Sequence, residues 1–260
     1  MPELSGKAAL VTGASSGIGA ATARGLARAG MRVALLARRK ERLEALAQEI
    51  AGQDGQALVC PGDVTEPPAV QSAVERMLSR WGRIDLLVNN AGRGLAAPFE
   101  ATAPEELRAI LEVNLIGVLT ATQAVLPPMR KAGSGHIINV SSVVGRRGLP
   151  YRAAYGATKF ALVGLTEALR QELRESGIHV SLVYPIYTTG TEFDEAEPKK
   201  IQPHRYGPSQ SAEQVARAIV RCARHPRAEV YPYPSARILA VLSALAPGFV
   251  DWMMARIIRR

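Results

Sequence analysis

A phenol and an ammonium lie four residues apart in the run Ala154-Tyr155-Gly156-Ala157-Thr158-Lys159. On a helix that spacing puts both side chains on one face. An isolated phenol titrates near about pH 10, and a cation beside it favours the phenolate, so such a pair exchanges a proton closer to neutral pH than tyrosine alone. Solvated helix faces carry the same spacing by chance, so what surrounds the pair decides its meaning.

The surroundings alternate between strand and helix patterns. Strand-like runs fall at Ala8 to Val11, Arg32 to Leu36, Gln56 to Cys60, Ile84 to Asn89, His136 to Val140, His179 to Val183 and Glu229 to Tyr231. Helical periodicity covers Gly19 to about Ala29, Arg39 to Ala51, Pro67 to Trp81, a long Pro104 to Met129, the segment bearing Tyr155 and Lys159, and Ala212 to Arg224. This alternation predicts an α/β fold: a Rossmann-type doubly wound parallel sheet in three α/β/α layers, a single domain over residues 1–235 with a C-terminal helical extension at 236–260. Ligands in such sheets bind at the carboxyl ends of the strands, so residues just after each strand are the candidates.

After the first strand, Gly13, Gly17 and Gly19, with Ser15, Ser16 and Ile18 between them, form a turn in which missing side chains let a pyrophosphate approach a helix N-terminus. The second strand ends in Ala37-Arg38-Arg39, where an NAD-binding chain usually has Asp or Glu for the adenosine ribose. A guanidinium at Arg38 suits a 2′-phosphate, which favours NADP(H); Arg39 is expected as a solvated side chain at the start of the next helix. After the third strand, Asp63 and Val64 are placed to meet adenine. Asn90, Ala91 and Gly92 follow the fourth, where small residues let the chain pass close to a ribose.

Together these residues resemble the short-chain dehydrogenase/reductase family over residues 5 to 195, on Thr12-Gly13-x-x-x-Gly17-x-Gly19, Asp63, Asn89-Asn90-Ala91-Gly92, Asn114, Ser142, Tyr155 and Lys159 in order. The resemblance implies a catalytic tetrad. Ser142, with Ser141 as its neighbouring competitor, would hold a substrate oxygen, and Tyr155 would exchange a proton with it. Lys159 would lower the phenol pKa and hold the nicotinamide ribose, and Asn114 would bind a water linking Lys159 to solvent. It also implies homodimers or homotetramers packed through the helices of Asn114 and Tyr155. One departure is Tyr184-Pro185-Ile186, where Ile186 replaces the usual glycine and the next segment is longer by a residue. Pro185 keeps its expected place against the cofactor, while Thr188 and Thr191 both remain candidates for the carboxamide.

The 260 residues, 47% hydrophobic, suffice for one large core, and Cys60 and Cys222 lie too far apart in sequence to suggest a disulfide framework or a metal site. The net charge of +9 is scattered over helix-like segments without a nucleic-acid-binding motif. The N-terminus enters a strand almost at once, so the expected location is cytoplasmic.

Residues 186–209 are expected to form a lid, with Phe193, Ile201 and Tyr206 offering apolar contacts and Lys199, Lys200, His204 and Arg205 positive charge. The preference is for a lipophilic carbonyl or alcohol, an anionic substrate being the alternative. The apolar C-terminal extension, ending in Arg256, Arg259 and Arg260, reads as an interfacial helix making peripheral membrane contact, a subunit contact or a cover over the substrate entrance. Three functions therefore compete: an NADP(H)-dependent oxidoreductase acting on a small carbonyl/alcohol pair, a membrane-surface lipid enzyme, and a nucleotide-sensing protein without turnover.

Overall fold

A computed structural model describes residues 4–193 and 207–258. The chain begins with β1 (Ala8–Thr12), α1 (Gly17–Arg28), β2 (Arg32–Ala37), α2 (Lys40–Ala51), β3 (Gln56–Pro61), α3 (Pro67–Trp81) and β4 (Leu86–Asn89). It continues through α4 (Pro104–Leu111), α5 (Gly117–Ala132), β5 (Gly135–Val140), α6 (Ala153–Glu172) and β6 (Ile178–Val183). Two short strands, β7 (Thr188–Thr189) and β8 (Gln210–Ser211), precede α7 (Ala212–Arg224), β9 (Glu229–Val230), α8 (Ala236–Leu245) and α9 (Pro247–Ile258).

Every residue of β1 and β4 is buried. Strands of that kind need cover on both faces, which parallel sheets obtain from their crossover helices. The main sheet is accordingly parallel, seven-stranded, in the order β3-β2-β1-β4-β5-β6-β9. On one face Leu26, Leu43, Leu46 and Ile219 from α1, α2 and α7 pack against Val33, Leu35 and Val88. On the other, Val70, Met77, Val125 and Met129 from α3 and α5 pack against Leu10, Leu87 and Ile137. Residues 104–132 are long and apolar enough by composition to cross a membrane, but Ala121, Val125 and Met129 are spent on this core.

The strand order reverses between β1 and β4, and the crevice beyond their carboxyl ends is where a doubly wound sheet takes its ligand. Polar side chains fix this point. Thr12 Oγ1 accepts the backbone N–H groups of Asn90 and Ala91, both at 3.0 Å, and joins the ends of the two strands. Beneath it, Asn89 Nδ2 donates to Asn139 Oδ1 at 2.8 Å, and Asn139 Nδ2 to Thr166 Oγ1 at 2.9 Å, tying β4, β5 and α6 together inside the core.

The long helix expected from Pro104 runs unbroken to Ala132, with Glu112–Ile116 a π-helical turn joining α4 to α5. One expectation is corrected. The stretch after β6 is not wholly irregular, because Thr188 and Thr189 pair in parallel with Gln210 and Ser211. Residues 194–206, with the lid side chains Lys199, Lys200, Ile201, His204, Arg205 and Tyr206, lie outside the described residues, as do Arg259 and Arg260.

Candidate active site

The glycine turn has no room for side chains. A Cβ on Gly19 would stand 2.2 Å from the Gly13 carbonyl oxygen, and one on Gly13 would stand 2.8 Å from Ala91 Cα. Gly13 and Gly17 also sit at φ +66° and +53°, where other residues are strained. Asn90 closes the turn from below, its Nδ2 donating to the Thr12 carbonyl at 3.0 Å and the Gly13 carbonyl at 3.3 Å. Above it α1 begins with no acidic residue in its first turn and no side-chain cap from Ser16. Its first N–H groups therefore suit an anion, and the bare backbone at Gly13, Gly17 and Ile18 fits a pyrophosphate.

Both arginines are exposed and line the cleft. The Arg38 side chain is 79% exposed and 3.7 Å from the Asp63 carboxylate. Arg39 instead reaches over the turn and donates to Ser15 Oγ at 3.0 Å and Ser16 Oγ at 2.9 Å. The cause is local: α2 starts only at Lys40, leaving Arg39 extended at φ −85°, ψ 90°, so its side chain swings back across the β1–α1 turn. Arg39 and Arg42 both pair with Glu192, whose carboxyl is held below its ordinary pKa by hydrogen bonds from Arg42 and then Arg39. Asp63 is fixed by accepting the Thr65 N–H at 3.0 Å and the Thr65 hydroxyl at 2.9 Å. Val64 abuts α5, where a Cβ on Gly117 would come within 2.9 Å of it.

At the other end of the crevice, Lys159 is buried beside Tyr155, its Nζ 5.7 Å from the ring centroid and donating to the Val140 carbonyl at 3.0 Å. Burial pushes the Lys159 pKa down to about 8. Phe193 packs against the Tyr155 ring at 5.7 Å. Ser141 Oγ donates to the Lys159 carbonyl at 3.3 Å and is buried, whereas Ser142 is half-buried at the start of the turn Val143–Gly145, accepting the Val144 N–H at 3.3 Å. The more accessible hydroxyl in the crevice is therefore that of Ser142.

Asn114 sits in the π turn, fully buried. It accepts the Arg93 N–H at 2.8 Å and donates to the Arg93 carbonyl at 2.8 Å and to Thr158 Oγ1 at 2.9 Å. Its side chain thus ties the Gly92–Arg93 segment to α6. A Cβ on Gly92 would lie 3.5 Å from Asn114 Oδ1 and 3.9 Å from Lys159 Nζ, so these two groups flank one glycine.

Thr188 and Thr191 both line the crevice with Pro185. Thr188 Oγ1 donates to the Ile186 carbonyl at 2.9 Å, and Thr191 Oγ1 to the Thr188 carbonyl at 3.1 Å. Thr191 also stands against Gly17, within 3.0 Å of where a Cβ would be, so the segment after β6 reaches back over the glycine turn.

One cleft of about 1160 Å³ runs from Arg38 and the glycine turn to Ser142, Tyr155 and Lys159, with Asn114 buried behind its wall. A cleft across the switch point of such a sheet, with a phosphate-fitting turn at one end and a tyrosine-lysine pair at the other, belongs to dinucleotide-dependent redox proteins. The sequence profile of the family described as short chain dehydrogenase matches residues 7–202. The chain belongs to that family and is an oxidoreductase with a nicotinamide cofactor.

A Drosophila melanogaster relative, dehydrogenase/reductase SDR family protein 7-like, is 34% identical over 267 aligned positions covering 98% of this chain and 81% of its own. A short chain dehydrogenase/reductase from Burkholderia phymatum, solved with NAD, superposes with a TM-score of 0.86 at 27% identity, covering 94% of this chain and 95% of its own. A metagenomic short-chain oxidoreductase solved with NADP gives 0.76 at 35% identity, covering 88% and 97%.

Two parts of the cleft, Glu192 and Tyr151, escaped the sequence reading. Glu192 was only a loop residue until Arg39 and Arg42 met it. Tyr151 lines the cleft at φ 62°, unusual for a residue with a side chain, with its carbonyl accepting the Ala97 N–H at 3.0 Å. Tyr233, Leu239, Met253 and Met254, from α8, α9 and the segment before them, also line it. The C-terminal extension therefore contributes to the wall of the cleft.

Proposed function

We propose that the protein interconverts a carbonyl and an alcohol on a lipophilic small molecule with NADP(H), working chiefly as a reductase. The observation that carries this reading is the convergence of Ser142, Tyr155 and buried Lys159 in the cleft that begins at the glycine turn. Bound there, the nicotinamide supplies or accepts hydride. Ser142 holds the reacting oxygen by a hydrogen bond, and Tyr155 gives that oxygen a proton or removes it. Lys159 stands beside Tyr155 as the cation that favours its phenolate. Asn114 keeps the Gly92–Arg93 segment and α6 in register, which positions Lys159.

NADP(H) is favoured by the cationic end of the cleft. Arg38 has its guanidinium in solvent beside Asp63, Arg39 lies over Ser15 and Ser16, and the second strand ends without a carboxylate to meet a ribose. A lipophilic substrate is favoured by Val144, Leu149, Phe193, Leu239 and Met253 around the far end. The outer faces of the π turn, α5 and α6 expose Ile116, Leu119 and Phe160, which supports self-association there.

The test is a screen of ketones, aldehydes and alcohols by nicotinamide absorbance. Tyr155→Phe is expected to lower turnover by a factor of about 10² or more while cofactor affinity holds. Full activity in that variant overturns the acid/base role. NADPH is expected to bind at least roughly tenfold more tightly than NADH, with the gap closing in Arg38→Asp/Arg39→Asp. A gap that stays open overturns the arginine assignment.

A further inference from the structure

Helices α8 and α9 form a hairpin with two unlike faces. Leu239, Met253 and Met254 turn inward to the cleft. On the outside Ile238, Val241, Leu245, Phe249 and Trp252 are exposed, Leu245 by 79% and Trp252 by 55%. The hairpin is anchored, because Val250 is completely buried and Arg147 pairs with Asp251. The outer apolar surface is thus a fixed feature of the fold.

Its chemistry selects one occupant. The Phe249 and Trp252 rings stack at 5.8 Å, and the Arg256 guanidinium lies 3.6 Å from the Trp252 centroid, giving an apolar-aromatic surface edged by cations. Residues 236–260 carry four arginines against a single acidic residue, Asp251, which already serves Arg147. In a symmetric contact with a second copy, each patch would meet its own positive charge. Anionic headgroups meet that charge with the opposite sign, and tryptophan with arginine at an apolar edge is the composition that seats in the headgroup layer. At about 1.5 Å per residue both helices are far shorter than the roughly 30 Å of a hydrocarbon core, so the hairpin lies on a bilayer and does not cross it.

We propose that the outer face of the α8–α9 hairpin docks on an anionic membrane surface, so that the hairpin lies between lipid and the cleft that its inner face lines. The test is co-sedimentation of the full chain with vesicles of phosphatidylcholine alone or of equal parts phosphatidylcholine and phosphatidylglycerol, at low and high salt. Binding to the anionic vesicles is expected to exceed binding to the neutral ones by roughly tenfold and to weaken with salt.

Leu245→Glu/Trp252→Glu is expected to reduce the bound fraction by roughly tenfold at an unchanged melting temperature. Arg237→Glu/Arg256→Glu, which keeps the apolar face, is expected to remove the preference for anionic vesicles. Absence of vesicle binding, or equal binding to both compositions, overturns the proposal. So does a fall in solution mass for Leu245→Glu/Trp252→Glu by light scattering, which would show that a second copy covers the face. Partitioning is read without turnover, so the result is independent of the catalytic reading.

Discussion

Lys159 is the residue at which chemistry and stability pull against each other. Only 4% of it is exposed, and burial lowers its pKa from the ordinary 10.5 to about 8. Between those values the unfolded chain holds a proton that the folded chain has released, so folding stability rises with pH across that window; below it, the full cost of a buried charge is present. In the free enzyme, Lys159→Met should therefore unfold with a flatter pH dependence. The wild type should gain roughly 3 kcal/mol on the variant between pH 8 and pH 10.5, measured by urea unfolding at each pH. Parallel curves would mean that the ammonium is solvated in solution. At this scale the sequence was legible where spacing alone decides: Tyr155 and Lys159 share a helix face whatever else the chain does. It was not legible at Arg39, because its reach across the β1–α1 turn to Ser15 and Ser16 depends on α2 starting one residue later than periodicity suggests.

Among the elements, the β1–α1 turn carries one of the tightest contacts. A Cβ on Gly19 would lie 2.2 Å from the Gly13 carbonyl oxygen and 2.6 Å from Asn90 Nδ2, which donates to that oxygen, so neither partner can yield cheaply. Gly19→Ala should open the turn, weakening NADPH binding by at least roughly tenfold and lowering the melting temperature by several degrees, as about 1–3 kcal/mol of strain implies. Fluorescence titration and thermal melting read the two effects, and unchanged values in both would show that the turn relaxes. The strand-helix alternation was legible because buried parallel strands and amphipathic helices have distinct periods. The π turn at Glu112–Ile116 was not, because Asn114 is bonded to Arg93 and Thr158, 21 and 44 residues away, and no local pattern encodes such partners. The same distance effect hid Glu192, whose ion pairs reach 153 and 150 residues back to Arg39 and Arg42.

For the whole molecule, the position of the C-terminal hairpin was illegible for the same physical reason: Arg147 and Asp251 are 104 residues apart. Composition showed only that the segment was apolar and basic. Among the described residues, one exposed apolar surface lies on the hairpin and a second is made by Ile116, Leu119 and Phe160. They differ in charge and in kind. The second lies on the helices that tie together Asn114, Thr158 and Lys159, so a copy packed there would brace the active site from behind. The hairpin presents arginines beside its aromatic residues and suits an anionic surface. Phe160, 47% exposed, is the largest side chain of the second surface, and a charge there would be desolvated by any close partner. Phe160→Glu should therefore reduce the solution mass to that of a smaller assembly and lower the melting temperature, while a single chain still binds vesicles through the hairpin. Light scattering at matched concentration gives the mass. If Phe160→Glu keeps the wild-type mass while Leu245→Glu/Trp252→Glu loses it, the two surfaces have exchanged roles and the assignment of each is reversed.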